Sequence, residues 1–357
     1  LGIGMRRDQF FLEKKLGLYH AKELWNLGLE AVDESLNLIK SNDINCSLTN
    51  GILSAGCFES DFKNFESELN HLYKNYNFKD FKIFNKNEIT NEINSKIYKS
   101  GLLNKSGYHI NPLKLLIGLS RLLSDMNVKI FEDSPVSKIE EHKHSVLVYC
   151  KKNIIKSKKV VVGCNAYIDK LLGNKRNKFM PINNYIIATE PLGEKKAKEI
   201  IKNNYAVCDT RFIIDYYRFS EDWRLLFGGG ETFSANFLHN SKNFVLKRMY
   251  KVFPQLVNYK VDYSWGGTLA ITINRLPNFG TMMNNKLFYA LGYSGHGLAL
   301  SVLAGKLISE KINDEGDKFD FFEKIKHISI PGGDLFRRPL YSSAIFYYKM
   351  RDTINNL

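Results

Sequence analysis

The apolar strand Leu287–Leu291 runs straight into Gly292-Tyr293-Ser294-Gly295-His296-Gly297, and the chain then turns helical as far as Ile312. Three glycines in six residues let a backbone come close to a ligand. A helix that starts there turns its free N–H groups and the positive end of its dipole toward whatever lies in front of it. The unit predicts α/β packing. Its turn is either a cofactor cradle or a tight turn with no ligand. Lys159–Cys164 (KVVVGC) is a second continuous apolar strand, of the kind that lies inside a parallel sheet covered on both faces. Asn165-Ala166-Tyr167 follows it, with a helix expected around Ile168–Leu172.

The segments between alternate between helical and β character. Gln9–Lys40 has apolar positions mostly at a 3.6-residue period, with Gly17 as a break between two helices. Ser47–Cys57 reads as turn and strand, Asp61–Asn75 as helix, Phe81–Ile83 as strand and Asn87–Ile93 as a short helix. Asn111-Pro112 pairs a cap with a first-position proline and predicts a helix to about Met126. A strand is expected at Val128–Phe131 and a β-meander over Val136–Glu140, Ser145–Cys150 and Asn153–Ser157. Residues 180–282 read as β-rich around one helix near Asn243–Val252. α/β elements therefore flank a β-rich insert, which argues for two domains in a chain that leaves one and returns.

With 357 residues, 44% apolar and 25% charged, the chain has the composition of a globular protein too long for one ordinary core. No run of ~18 apolar residues occurs, so no membrane span is expected. The net charge of +14 is spread along the chain, densest at 156–159 and 175–178, and no nucleic-acid motif accompanies it. It reads as a lysine-rich surface. The five cysteines (Cys46, Cys57, Cys150, Cys164 and Cys208) form no C-x-x-C pair and read as reduced, buried residues of a cytoplasmic protein. Histidine and cysteine are not clustered at metal-ligand spacing, so no metal is expected.

Several residues stand out as candidates, each with a plainer reading beside it. Cys164, Asn165 and Ala166 end a strand that either touches a cofactor or does not. Val136, after Ser134-Pro135, is a contact or core. Trp265, in the strand Val261–Thr268 and followed by Gly266-Gly267, walls a pocket or fills core. One of Tyr216 and Tyr217 must face inward on an alternating strand. Gly228-Gly229-Gly230 marks a bulge or a place where backbone meets ligand. His296, between glycines at a helix start, lines a site or is structural.

Taken in order, these motifs resemble the D-amino-acid-oxidase-like family of FAD-dependent oxidoreductases, in particular its gamma-glutamylputrescine oxidase-like members. The resemblance rests on Met180–Gly193 (MPINNYIIATEPLG), Asp215–Arg218, Leu225–Gly230, Trp265–Gly267 through Arg275–Gly280, and Gly292–Gly297. It implies a glutathione-reductase-like FAD-binding domain and an antiparallel-sheet substrate domain that covers the flavin, within a mixed α/β and α+β fold. It further implies oxidation of a CH–NH group by hydride transfer to flavin N5, with oxygen or another acceptor taking the electrons. Cofactor contacts are then expected at Val136, Cys164, Asn165, Ala166, Gly266 and Gly292–Gly297, with Tyr216, Tyr217, Trp265 and His296 facing the flavin and the substrate.

Two departures shape the expectation. The family opens with a strand, G-x-G-x-x-G and a helix, a βαβ unit of about 30 residues. No such unit occurs here, and the chain reads as a fragment lacking it. Second, Leu269 stands where relatives that oxidise α-amino acids carry an Arg soon after the tryptophan strand, and Arg275 follows six residues later. That favours a small amine such as gamma-glutamylputrescine. The alternatives are a glycine- or sarcosine-type oxidase or dehydrogenase, or a non-catalytic truncated remnant. The expected division is 1–44, 101–170 and 283–330 for the incomplete FAD-binding domain, 45–100 and 171–282 for the substrate domain, and 331–357 for a tail.

Overall fold

The computed structural model describes residues 1–232 and 236–330, so the expected tail at 331–357 lies outside the described residues. In chain order the elements are α1 (Gln9–Leu16), α2 (Leu18–Ser41), β1 (Thr49–Gly56), α3 (Asp61–Tyr76), β2 (Phe81–Phe84), α4 (Lys86–Glu92), β3 (Ser100–His109), α5 (Pro112–Asp125), β4 (Val136–His142), β5 (Ser145–Cys150), β6 (Asn153–Ser157), β7 (Val160–Val162), β8 (Phe179–Pro191), α6 (Glu194–Ile200), β9 (Ala206–Asp209), β10 (Asp215–Phe219), β11 (Arg224–Thr232), α7 (Ser241–Val252), β12 (Val261–Thr272), β13 (Asn278–Met282), β14 (Leu287–Leu291), α8 (Gly297–Ile312) and α9 (Lys318–Glu323). Local chemistry sets several of these boundaries. Gly17, at φ 83°, separates α1 from α2, and the Asp8 carboxylate caps α1 by accepting from Phe11 N at 2.8 Å. The Asn111 side chain accepts from Leu113 N and Lys114 N in front of α5, with Pro112 inside its first turn.

An eight-stranded mixed sheet runs β12-β8-β11-β10-β9-β1-β3-β2. Two three-stranded sheets accompany it: β13-β14-β7, with β14 and β7 parallel, and the meander β4-β5-β6. One face of the large sheet is apolar. Tyr185, Ile187, Tyr217, Phe219, Leu225 and Phe227 meet Val245, Met249 and Val252 of α7 there. At about 1.5–3 kcal/mol per large side chain fully removed from water, this core fixes which way the sheet faces. A second core joins α1, α2, α8 and α9 through Leu12, Leu24, Leu303, Phe279 and Phe322. Lys306 on α8 adds bonds to Glu30 and Glu34 on α2, at 2.9 and 2.6 Å.

Four sequence expectations are corrected. Val128–Phe131 is not a strand, and Val128, Ile130 and Phe131 are exposed, with no neighbour strand among the described residues to pair with. The helix expected at Ile168–Leu172 is a 3-10 turn at Asn165–Tyr167 followed by turns, because Ile168 and Leu172 bury one by one beneath β7 and β14. The strand within Lys159–Cys164 is covered on one face only: Val162 is buried and Val161 is exposed. Cys164 is exposed, although the cysteines were expected to be buried. In addition, β3 pairs with β1 and β2 in the large sheet, so the boundary expected at 101 cuts through that sheet.

Candidate active site

β7 and β14 are parallel neighbours with Tyr289 opposite Val162, and both run at their C-terminal ends into loops, Gly163-Cys164-Asn165 and Gly292–Gly297. Ligands of open α/β sheets bind in the crevice beyond such strand ends. The Asn165 Oδ1 accepts from Gly292 N at 3.0 Å and locks the two loops together. The glycine turn needs its glycines. Gly292 and Gly295 have φ of 72° and 83°, a region that other L-residues enter at a cost, and a Cβ on Gly292 would sit 2.6 Å from Thr272 Cγ2. Gly295 is exposed, and the first turn of α8 carries no side-chain cap, so its N–H groups are open.

Within the turn the side chains divide. Tyr293 and Ser294 point into the protein. The Tyr293 ring meets Phe279 edge-on at 6.0 Å, and Ser294 Oγ accepts from Thr272 N at 3.1 Å. The His296 ring is pressed against the N-terminal segment: a Cβ on Gly2 would lie 2.6 Å from its Cε1. Its buried Nε2 finds no hydrogen-bond partner, and burial, with the Arg6 charge, pushes its pKa down to about 4. His296 is therefore neutral near pH 7.

The glycine turn abuts the large sheet. Ser294 N donates to Ala270 O at 3.0 Å, and a Cβ on Gly295 would reach Leu269 Cδ1 at 3.9 Å. From Leu269 the face opposite α7 can be followed by register. Directly opposed residues in a sheet point the same way. Leu269 pairs with Ile182, Gly267 with Asn184, and Trp265 with Ile186. Beyond Ile186 the row continues through Gly228, Tyr216, Cys208 and Ser54. Trp265 and Tyr216 thus share one face, four strands across, and the Tyr216 hydroxyl donates to Asn184 Oδ1. The Tyr216 ring occupies the place a Cβ on Gly228 would need. Tyr217 faces the other way. It is 2% exposed, stacks on Phe227 at 5.4 Å and donates to Tyr98 Oη at 2.9 Å in the core under α7.

The other expected residues fall as follows. The Cβ position of Gly266 meets Phe237 and the Asn184 carbonyl on the α7 side, whereas at Gly267 that space is open. Val136 pairs with Cys150 in the meander, half-buried. Ala166 packs on the Val162–Leu291 core. Residues not singled out in the sequence also reach this face. Glu231 is opposite Asn184 because a bulge between Gly228 and Glu231, with Gly230 at φ 78°, shifts the register. The Arg6 guanidinium acts on His296, Cys208 and Glu231, which places its charge over this face, and Arg275 also acts on Glu231.

A protein-family model described as "FAD dependent oxidoreductase" (DAO) matches residues 7–311. The chain belongs to the DAO family of FAD-dependent oxidoreductases. Among curated relatives, this DAO-family chain is 33% identical to gamma-glutamylputrescine oxidoreductase of Escherichia coli over 349 residues, 98% of this chain and 81% of that protein. It is 34% identical to the probable oxidoreductase OrdL of Haemophilus influenzae, over 95% of this chain and 78% of the relative. Among solved structures, the fold is similar to glycine oxidase from Geobacillus kaustophilus (TM-score 0.73, 17% identity, 86% of this chain and 84% of that one). It is also similar to L-proline dehydrogenase from P. horikoshii (TM-score 0.68, 18% identity, 87% and 82%). The expected enzyme class, fold and FAD cofactor are those of the family. The open α8 N-terminus, exposed Gly295 and the paired strand ends fit the polar, negatively polarisable edge of a flavin. Among the described residues no helix is long and apolar enough to cross a membrane.

Proposed function

We propose that this DAO-family protein oxidises the CH–NH group of a small amine of the gamma-glutamylputrescine type. The observation that carries the reading is the face shared by Trp265 and Tyr216, which the glycine turn meets two rows along the sheet at Leu269. FAD, when bound, supplies the acceptor for a hydride from the carbon beside nitrogen. Gly292–Gly297 and the α8 N–H groups would hold the ring, with Asn165 keeping the turn in place. Trp265 and Tyr216 press the amine toward it from the sheet. Aromatic faces do this at low entropic cost and attract an ammonium group arriving from water. His296, neutral at working pH, adds no competing positive charge at the turn.

Two further features support the substrate class. Leu269 replaces the Arg that would hold a carboxylate beside the reacting carbon. The positive charge of Arg6, which acts on His296, Cys208 and Glu231 along this face, suits a carboxylate carried further along the substrate, as a gamma-glutamyl group carries it. The kinship with gamma-glutamylputrescine oxidoreductase points the same way. The test is anaerobic mixing of the flavin-loaded protein with gamma-glutamylputrescine, glycine or sarcosine while the visible absorbance of oxidised flavin is followed. Rapid bleaching by gamma-glutamylputrescine is expected. Faster bleaching by glycine or sarcosine would overturn the substrate assignment. Oxygen or another acceptor then reoxidises the flavin, and repeating the reaction in air identifies which.

A further inference from the structure

Glu231 is a partly buried carboxylate on the aromatic-lined face, and nothing in the proposed chemistry uses it. It lies in the row Gly267–Asn184–Glu231, between the row of Leu269, which faces Gly295, and the row of Trp265 and Tyr216. Rows on one face of a strand are about 7 Å apart. Neighbouring strands are about 4.8 Å apart, so Glu231, on β11, stands about 8 Å along the sheet from Tyr216 and about 12 Å from Trp265 and from Leu269 at the glycine turn. Gly267, at the other end of this row, adds no bulk, since the space its Cβ would fill is empty. Asn184 between them already accepts from the Tyr216 hydroxyl. Among the described residues the Glu231 carboxylate makes no hydrogen bond and no ion pair, although the charges of Arg275, Arg6 and Arg248 act on it. Arg248 is committed to Asp215 and the Ile213 carbonyl.

We propose that Glu231 is a specificity residue that docks a second ammonium group of the substrate, selecting amines that carry a positive charge besides the nitrogen being oxidised. This rests on the amine-oxidising reading above. The docked group is not the reacting nitrogen. That nitrogen must be neutral when its neighbouring carbon gives up hydride, and a carboxylate in contact with it would hold it charged. A second cation at the far end of the molecule removes that conflict and gives Glu231 the partner it lacks. The direction of its titration agrees. Burial, the largest influence, outweighs the attraction of the three arginines and raises its pKa, so the carboxylate is under-compensated until a cation arrives. Diamines and aminoacylated diamines are the matching substrate class.

Putrescine and butylamine differ by one ammonium group and serve as probes. In the flavin-loaded full-length protein, kcat/KM and the calorimetric Kd are measured for both, in wild type, Glu231→Gln and Glu231→Asp, with thermal midpoints as a folding control. Wild type is expected to prefer putrescine at least tenfold, Glu231→Gln to bring the ratio near one, and Glu231→Asp to keep part of it. A wild-type ratio near one, or an unchanged ratio in a folded Glu231→Gln, would overturn the proposal. If no amine is turned over yet the calorimetric preference vanishes in Glu231→Gln, the cation site stands and the amine-oxidising reading fails. If amines are turned over with no dependence on residue 231, that reading stands and this assignment fails.

Discussion

Tyr216 and Tyr217 are adjacent, chemically identical and on opposite faces of β10, so the same substitution at each should do different things. Tyr217→Phe removes a hydroxyl that donates to Tyr98 Oη at 2.9 Å, where both rings are 2% exposed or less. The ring still stacks on Phe227, so packing is kept. The Tyr98 hydroxyl loses its partner in a dry core. That costs about 1–3 kcal/mol, which corresponds to a fall in melting temperature of roughly 2–6 °C for a chain this long. Turnover per bound flavin should not change. Tyr216→Phe removes the bond to Asn184 Oδ1, and with Asn184 only 8% exposed stability should fall by about 1–2 kcal/mol. If the Tyr216 ring and hydroxyl position the amine, kcat/KM should fall about tenfold, equivalent to about 1.4 kcal/mol of transition-state stabilisation. Steady-state kinetics at matched flavin content, with calorimetric melting of each variant, reads both quantities. Loss of turnover in Tyr217→Phe equal to that in Tyr216→Phe would refute the facing argument. So would wild-type turnover in Tyr216→Phe with only its melting temperature lowered.

Gly295→Val places a β-branched side chain at φ 83° on the exposed crest of the turn, and flavin occupancy should collapse while most of the fold survives. Unchanged flavin absorbance per protein would show that the turn is not the cradle. Gly228→Ala puts a methyl group where the Tyr216 ring lies, and should lower amine turnover through displacement of that ring. A crystal structure of that variant with Tyr216 unmoved would contradict the cause. Burial holds the His109 pKa down from 6.5 to about 4. The unfolded chain takes up this proton below pH 6.5 and the folded chain does not. Stability contributed by His109 is therefore complete above pH 6.5 and lost as pH falls toward 4, by on the order of 3 kcal/mol. His109→Gln should flatten the melting temperature across that window.

What could be read from the sequence, and what could not, follows from how far each signal reaches along the chain. The glycine turn, the cap at Asn111 and the break at Gly17 are decided within a few residues, and each lies where local chemistry put it. The resemblance carried the cofactor and the fold because several motifs fell in order. Val128–Phe131 failed as a strand because a strand needs a partner, and β-branched composition does not supply one. The tyrosine pair was legible only as an alternative. Alternation says that two neighbours diverge, but which one meets α7 depends on a helix some 30 residues later in the chain.

Glu231 shows the limit most sharply. Strict alternation along β11 puts residues 225, 227, 229 and 231 on one face, and Leu225 and Phe227 do face α7. By that count Glu231 belongs in the apolar core, where an unpaired carboxylate would be prohibitive. The bulge resolves the contradiction: three residues from Gly228 to Glu231 span two on β8, and the parity reverses. Gly230 makes the reversal affordable, since its φ of 78° is open to glycine and its Cβ position is filled by the Phe244 ring. The three glycines and the acidic residue after them are thus one device, in which the glycines turn the strand so that the carboxylate emerges on the face bearing Trp265 and Tyr216. A substitution at Gly230 should then act like the loss of Glu231. Gly230→Ala would strain or straighten the bulge, and the putrescine-to-butylamine preference should fall with it even though residue 231 is unchanged. If Gly230→Ala remains folded with that preference intact, the bulge does not aim Glu231, and its place on this face has another cause.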